Sequence, residues 1–133
     1  MEVLIVQTNK HLGALWQRHL ERLGATVILA TSGDAAVNIL EVRSFDAIVL
    51  DLVLEEGSAL TVADVAYFRR PEANVIFVTD TTFFSDGSIF AHAANARAIV
   101  EKATPPADLA AIVQHYGEAV SREDAVREVQ VAG

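Results

Sequence analysis

Polar side chains follow four apolar runs of the chain, each at the point where the run ends. They include a carboxylate at Asp51, a hydroxyl at Thr79 and an ammonium at Lys102, while the neutral Gln7 and Thr8 follow the first run. If the runs are parallel strands of one sheet, their carboxyl ends share an edge, and such sheets bind ligands at that edge. We therefore expect these five side chains to lie at one binding site.

Several other kinds of site are disfavoured by the sequence. The chain contains no cysteine, which excludes disulfides and thiolate metal ligands. Its four histidines lack the mutual spacing of a metal site, and no glycine-rich phosphate loop is present. No cofactor loop or activated nucleophile is visible, so an enzyme on this kind of sheet is the weakest functional alternative. We expect a protein that is not an enzyme.

The composition is typical of one folded domain that lacks a surface for binding nucleic acid or an anionic membrane. The 133 residues are 52% hydrophobic and 21% charged, and the net charge is −8. Ten basic residues scattered among eighteen acidic ones do not form a surface for nucleic acid or for an anionic membrane. The sequence shows neither a leader peptide nor an apolar run long enough to span a bilayer. A cytoplasmic location is the expectation.

Short apolar runs alternate with amphipathic stretches along the whole chain. Strands are predicted at residues 3–6, 26–30, 47–50, 75–78 and 98–100. Helices are predicted at residues 12–23, 32–40, 59–68, 85–94 and 107–116. Continuously apolar strands indicate a sheet covered on both faces, and the spacing fits parallel crossovers. The predicted fold is α/β, a doubly wound five-stranded parallel sheet flanked by five helices.

Two local features concern the ends of this domain and of its fourth helix. Asn95 can take the left-handed conformation that closes a helix, and we expect it to do so after the fourth one. The domain is expected to cover residues 1–116, with residues 117–133 as a tail or a short helix. No output domain follows in the sequence, so a stand-alone module is expected.

Three segments of the sequence resemble the receiver domains of response regulators. Residues 51–60, DLVLEEGSAL, are similar to the family's phosphoacceptor loop, which usually has the form DLxLPxGSGL. Residues 70–79 resemble the approach to the family's hydroxyl residue, and residues 94–102 resemble its AGAxxYLxK stretch. The resemblance extends over residues 1–116 and implies a flavodoxin-like, CheY-like fold.

The resemblance also implies a role for each matched residue. Asp51 would accept a phosphoryl group from a histidine kinase or a phosphotransfer protein and would contribute to a Mg²⁺ site. Lys102 would pair with the phosphoryl oxygens, and Thr79 would donate a hydrogen bond to one of them. The face formed by the fourth helix, fifth strand and fifth helix would bind a regulatory target or a second copy of the chain.

The sequence departs from the family pattern where the cation should bind. Receivers place two acidic residues after the first strand, and here these positions hold Gln7 and Thr8. Mg²⁺ prefers anionic oxygens, so we expect its affinity to fall heavily, with Asp51 the only matched carboxylate. Asp80 replaces a small residue and would repel a phosphoryl group, although it or Glu55 could supply a displaced ligand. Mg²⁺ is therefore a doubtful cofactor.

A further departure concerns how a phosphorylated site would signal. The aromatic residue expected three positions before the lysine is replaced by Ile99, which has a stiff side chain and no hydroxyl. Two hypotheses follow. The chain is either a response-regulator receiver that relays phosphoryl groups through Asp51, or a pseudo-receiver that binds proteins independently of phosphorylation.

Overall fold

The computed structural model describes residues 1–80 and 94–118. These residues contain five strands and four helices. The strands are β1 (Glu2–Val6), β2 (Thr26–Ala30), β3 (Ala47–Asp51), β4 (Asn74–Thr79) and β5 (Ala96–Glu101). The helices are α1 (Lys10–Arg22), α2 (Gly33–Val42), α3 (Ala59–Arg69) and α4 (residues 106–118).

The five strands form one parallel sheet in the order β2-β1-β3-β4-β5. The predicted fold class is therefore confirmed, with four helices in the described residues instead of five. The helix predicted at residues 85–94 lies outside the described part except for its last residue, which is in a turn. Helix α4 includes residues 117 and 118, where the sequence predicted the tail to begin, and the rest of that tail is not described.

Both faces of the sheet are covered, which explains why its strands are continuously apolar. Every residue of β3 and β4 is buried. On one face α2 and α3 pack on the sheet around Leu40, Val62 and Phe77, and on the other α1 and α4 pack around Trp16, Leu20 and Val113. None of the described helices has both the length and the apolar character needed to cross a bilayer.

Side-chain caps fix where the first three helices begin. The side chains of Asn9, Ser32 and Ser58 accept hydrogen bonds from the backbone N–H three residues further on, as N-cap residues do. Each cap lies shortly after a strand, so the chain leaves the sheet edge in a defined direction. These helix starts hold the loops that carry the polar residues of the site.

The expectation for Asn95 was wrong. No residue other than glycine has a positive φ in the described segments. Asn95 is instead buried, and its side-chain Nδ2 donates to the carbonyl oxygen of Ala63 at 3.1 Å. A hydrogen bond to α3 therefore sets the position of Asn95. The sequence-based expectation rested only on the backbone preference of asparagine, and that preference gives no information about this side-chain partner.

Candidate functional site

The order of the strands brings the predicted site residues to one edge of the sheet. Strands β1 and β3 are direct neighbours, and Val6 lies opposite Leu50 in their register. The next residues along the two strands, Gln7 and Asp51, consequently emerge side by side. This is also where the strand order reverses, the position at which doubly wound sheets form their ligand crevice.

Asp51 is almost completely buried, with 1% of its surface exposed, and both of its carboxylate oxygens have partners. Oδ2 accepts a hydrogen bond from Nε2 of Gln7 at 2.8 Å and lies 2.9 Å from Nζ of Lys102. Oδ1 accepts a hydrogen bond from the backbone N–H of Val53 at 3.0 Å. A buried carboxylate needs such partners, because burial without them would strongly disfavour its charge.

Gln7 is as deeply buried as Asp51, and its amide group has a partner at each end. Its Oε1 accepts a hydrogen bond from the backbone N–H of Asn9 at 3.0 Å, while its Nε2 donates to Asp51. Asn9 in turn caps α1 by accepting from the N–H of Leu12 at 3.1 Å. The start of α1 therefore fixes the direction in which Gln7 presents its donors.

Lys102 reaches the site from the end of β5. Its backbone N–H donates to the carbonyl oxygen of Thr79 at 2.8 Å, which ties the segment after β5 to the end of β4. The Lys102 side chain is 30% exposed, so its ammonium group contacts both solvent and the buried carboxylate of Asp51. Thr79 itself is buried at the same sheet edge.

An open cleft of about 580 Å³ lies above these groups. Its lining residues are Gln7, Thr8, Asn9, Val53, Leu54, Glu55 and Lys102. The hydroxyl oxygen of Thr8 accepts a hydrogen bond from the backbone N–H of Glu55 at 3.3 Å, which joins the segment after β1 to the loop after β3. Small molecules and ions can therefore approach the site from solvent although Asp51 itself is buried.

The residues at this edge do not fit a Mg²⁺ site. Mg²⁺ requires several oxygen ligands in near-octahedral geometry, usually including carboxylates. The Gln7 side chain presents N–H donors to Asp51, and a cation cannot use a donor as a ligand. Across residues 1–80 and 94–118, no three side chains of the types His, Cys, Asp and Glu come together as a metal ion would require. The side chains of Glu55 and Asp80, the proposed replacement ligands, are exposed.

A sequence model described as the response regulator receiver domain matches residues 3–114. The chain belongs to this family. Receiver domains of this family serve two-component signalling, and the resemblance seen in the sequence is thereby confirmed. A comparison with curated proteins found no match for this receiver domain.

Solved structures of other receivers share the fold. A CheY-like receiver domain protein from Methanospirillum hungatei JF-1 is 21% identical with a TM-score of 0.81, over 92% of this chain and 97% of that one. The N-terminal domain of a response regulator/sensory box/GGDEF protein from Carboxydothermus hydrogenoformans is 25% identical with a TM-score of 0.79, over 92% and 98%. A response regulator from Burkholderia pseudomallei, solved with a phosphorylated aspartic acid and a calcium ion, is 22% identical with a TM-score of 0.75, over 95% and 74%.

The structure brings together most of the residues that the sequence singled out, but it adds one contact that the sequence did not reveal. Asp51 and Lys102 form an ion pair, and Thr79 lies buried at the end of the neighbouring strand. Gln7 was interpreted only as a missing cation ligand, whereas its amide is a direct partner of Asp51. The sequence did contain a signal for this contact. Gln7 follows a buried strand, and a buried glutamine needs hydrogen-bond partners.

Ile99 occupies a partly buried position and packs against the cluster that α2 and α3 form on the sheet. An aliphatic side chain is stabilised there by apolar contact alone. Isoleucine has no hydroxyl group, so it cannot alternate between a hydrogen-bonded position and an apolar one as a tyrosine could. That the usual aromatic relay is absent stays a prediction for this receiver.

Proposed function

We propose that this receiver domain is a two-component signalling module that acts by binding a partner protein, with Asp51 as a fixed structural group and not a phosphorylated one. The observation that carries the proposal is the hydrogen bond of 2.8 Å from Gln7 Nε2 to Asp51 Oδ2. The proposed partners are a histidine kinase, a phosphotransfer protein or a regulatory target, with a second copy of the chain as a further possibility. The proposed role includes no catalytic activity.

The physical argument concerns what a phosphoryl group meets when it approaches Asp51. The attacking carboxylate and the phosphoryl oxygens are both negative, and a cation normally offsets their repulsion. Here the residues that would hold such a cation are neutral, and one of them donates to the nucleophile itself. Oδ1 also accepts a part-buried hydrogen bond from the backbone N–H of Val53, so both oxygens of Asp51 already have hydrogen-bond donors that lower their nucleophilicity.

A second candidate function is phosphoryl transfer to Asp51, as the family resemblance implies. It is supported by Lys102, whose Nζ lies 2.9 Å from Asp51 Oδ2, and by Thr79 in the family's hydroxyl position. The solvent-open cleft above the site would admit a phosphodonor. This function would require the Gln7 contact to break during the reaction.

Intact-mass measurement distinguishes the two functions. The purified chain is incubated with Mg²⁺ and a small phosphodonor such as acetyl phosphate, alongside the variant Asp51→Asn. We expect no phosphoryl adduct on either protein. An adduct on the wild-type chain that is absent from Asp51→Asn would overturn the proposal in favour of the phosphoacceptor function. A conventional receiver treated in the same way shows that the donor and the assay work.

A further inference from the structure

We propose that Gln7 closes this site to divalent cations by placing an amide N–H, instead of an oxygen ligand, against Asp51. This inference rests on the proposed function, because the absence of a bound cation is the physical reason why Asp51 is not phosphorylated. Gln7 is then more than a missing acidic ligand, because its amide N–H lies beside Asp51 where a cation would otherwise bind. The amide hydrogens occupy Asp51 Oδ2, and a cation there would need an oxygen ligand from position 7 that the amide does not turn toward it.

The orientation of the Gln7 amide is set by its two contacts. The Asn9 backbone N–H can only donate, so the atom that it meets at 3.0 Å must be the Gln7 oxygen. The Asp51 carboxylate can only accept, so the atom that lies 2.8 Å from it must be the Gln7 nitrogen. Exchanging the oxygen and nitrogen would set donor against donor at Asn9 and acceptor against acceptor at the buried Asp51, so the observed orientation is the favourable one.

The charges around Asp51 are already balanced without a metal ion. The single negative charge of Asp51 faces the positive charge of Lys102 at 2.9 Å, and Gln7 adds a further partial positive charge at the same oxygen. A divalent cation bound to Oδ2 would have to lie close to both the ammonium and the amide hydrogens. Repulsion from these groups opposes binding, and within residues 1–80 and 94–118 no cluster of carboxylates offsets it.

The neutral oxygens beside Gln7 are also engaged elsewhere. The side-chain oxygen of Asn9 caps α1 by accepting from Leu12 N–H, and the Thr8 hydroxyl accepts from Glu55 N–H. Using either oxygen as a metal ligand would disturb the start of α1 or the loop after β3. The segment after β1 therefore supports the surrounding backbone and does not present a ligand set.

The test replaces the Gln7 amide by a carboxylate of nearly the same shape. Variant Gln7→Glu and the matched neutral variant Gln7→Met are compared with wild type by thermal unfolding, once in EDTA and once in millimolar Mg²⁺. We expect Mg²⁺ to leave the Tm of wild type and Gln7→Met unchanged. We expect Gln7→Glu to be destabilised in EDTA, because two carboxylates face each other, and to regain stability when Mg²⁺ bridges them.

Mn²⁺ provides a second measurement that does not depend on stability. Bound Mn²⁺ broadens the amide NMR signals of nearby residues such as Val53. We expect this broadening in Gln7→Glu at Mn²⁺ concentrations about tenfold or more below those that affect wild type. If Gln7→Glu does not fold, Gln7→Asp replaces it, since its shorter carboxylate lies further from Asp51.

Two results would overturn the inference. One is a rise in the Tm of wild type with Mg²⁺ together with broadening of the Val53 amide signal by Mn²⁺. The other is a folded carboxylate variant that responds to neither ion. A phosphoryl adduct on wild-type Asp51 in the mass experiment would instead overturn the proposed function, so failure of one proposal is distinguishable from failure of the other.

Discussion

Asp51 and Lys102 are unequal partners, because the carboxylate is buried and the ammonium group is partly exposed. Removing the ammonium would leave a buried negative charge with neutral donors alone, whereas removing the carboxylate would leave Lys102 free to turn toward solvent. Truncating one member of a fully buried pair costs about 3–5 kcal/mol, and partial exposure lowers that figure.

We expect the variant Lys102→Met to lower the free energy of unfolding by about 1–3 kcal/mol, because Asp51 loses its only counter-charge in the described site. The variant Asp51→Asn should cost less, and the double variant should cost less than the sum of the two single variants. Urea unfolding of the four proteins measures these differences as a double-mutant cycle.

The exposed Lys10 at the start of α1 provides the control for this cycle. Variant Lys10→Met removes the same charge without touching Asp51 and should change stability by about 0.5 kcal/mol or less. Equal losses for Lys10→Met and Lys102→Met would show that the ion pair contributes nothing and would contradict the expectation.

The sequence could predict which chemical groups meet at this edge, but it could not predict how they are oriented. Strand ends in a parallel sheet share an edge, so Asp51, Thr79 and Lys102 were expected together. The direction of the Gln7 amide depends on a backbone N–H of Asn9, whose position is set by the start of α1. Such an orientation depends on three-dimensional contacts that residue type and spacing do not encode.

At the level of elements, the loop after β3 is held against the start of α2 by a close backbone contact. The N–H of Gly33 donates to the carbonyl oxygen of Glu56 at 2.6 Å. A Cβ atom added to Gly57 would lie 2.9 Å from the Cα of Gly33 and 3.0 Å from the N of Asp34, closer than normal packing allows. The loop that follows Asp51 therefore depends on glycine at this contact.

We expect Gly57→Ala to lower the free energy of unfolding by about 2–4 kcal/mol, because the backbone has a φ of 87° and the added methyl group meets α2. The matched control is Gly24→Ala, which has a φ of 93° but no atom within 4 Å of the added Cβ. That control should cost only the backbone strain, about 1–2 kcal/mol. Urea unfolding compares the two variants, and equal losses would contradict the role of the contact.

The elements were more predictable than their contacts. All five strands appear within two residues of the predicted positions, because continuous apolar runs between turns are a strong signal. The caps Ser32 and Gly24 were visible as residue types at the expected helix ends. The contact between Gly33 and Gly57 was not visible, since it joins the start of α2 to a loop that is distant in sequence.

At the scale of the whole molecule, one sheet separates two apolar clusters. Leu40 belongs to the cluster on the α2 and α3 face, and Trp16 and Leu20 belong to the cluster on the α1 and α4 face. Alternate residues of the same strands enter the two clusters, for example Leu4 and Ile5 of β1. Loss of packing on one face should therefore weaken the strands that support the other face.

We expect Leu40→Ala to lower the free energy of unfolding by about 2–5 kcal/mol, since Leu40 is 1% exposed and its truncation leaves a cavity. The emission of Trp16, the only tryptophan, reports the opposite face, and far-ultraviolet circular dichroism reports all the helices. Because the clusters share the sheet, both signals should shift to the same lower urea midpoint, as they should for Leu20→Ala. A Trp16 midpoint that stays at its wild-type value in Leu40→Ala would show that the two faces unfold independently.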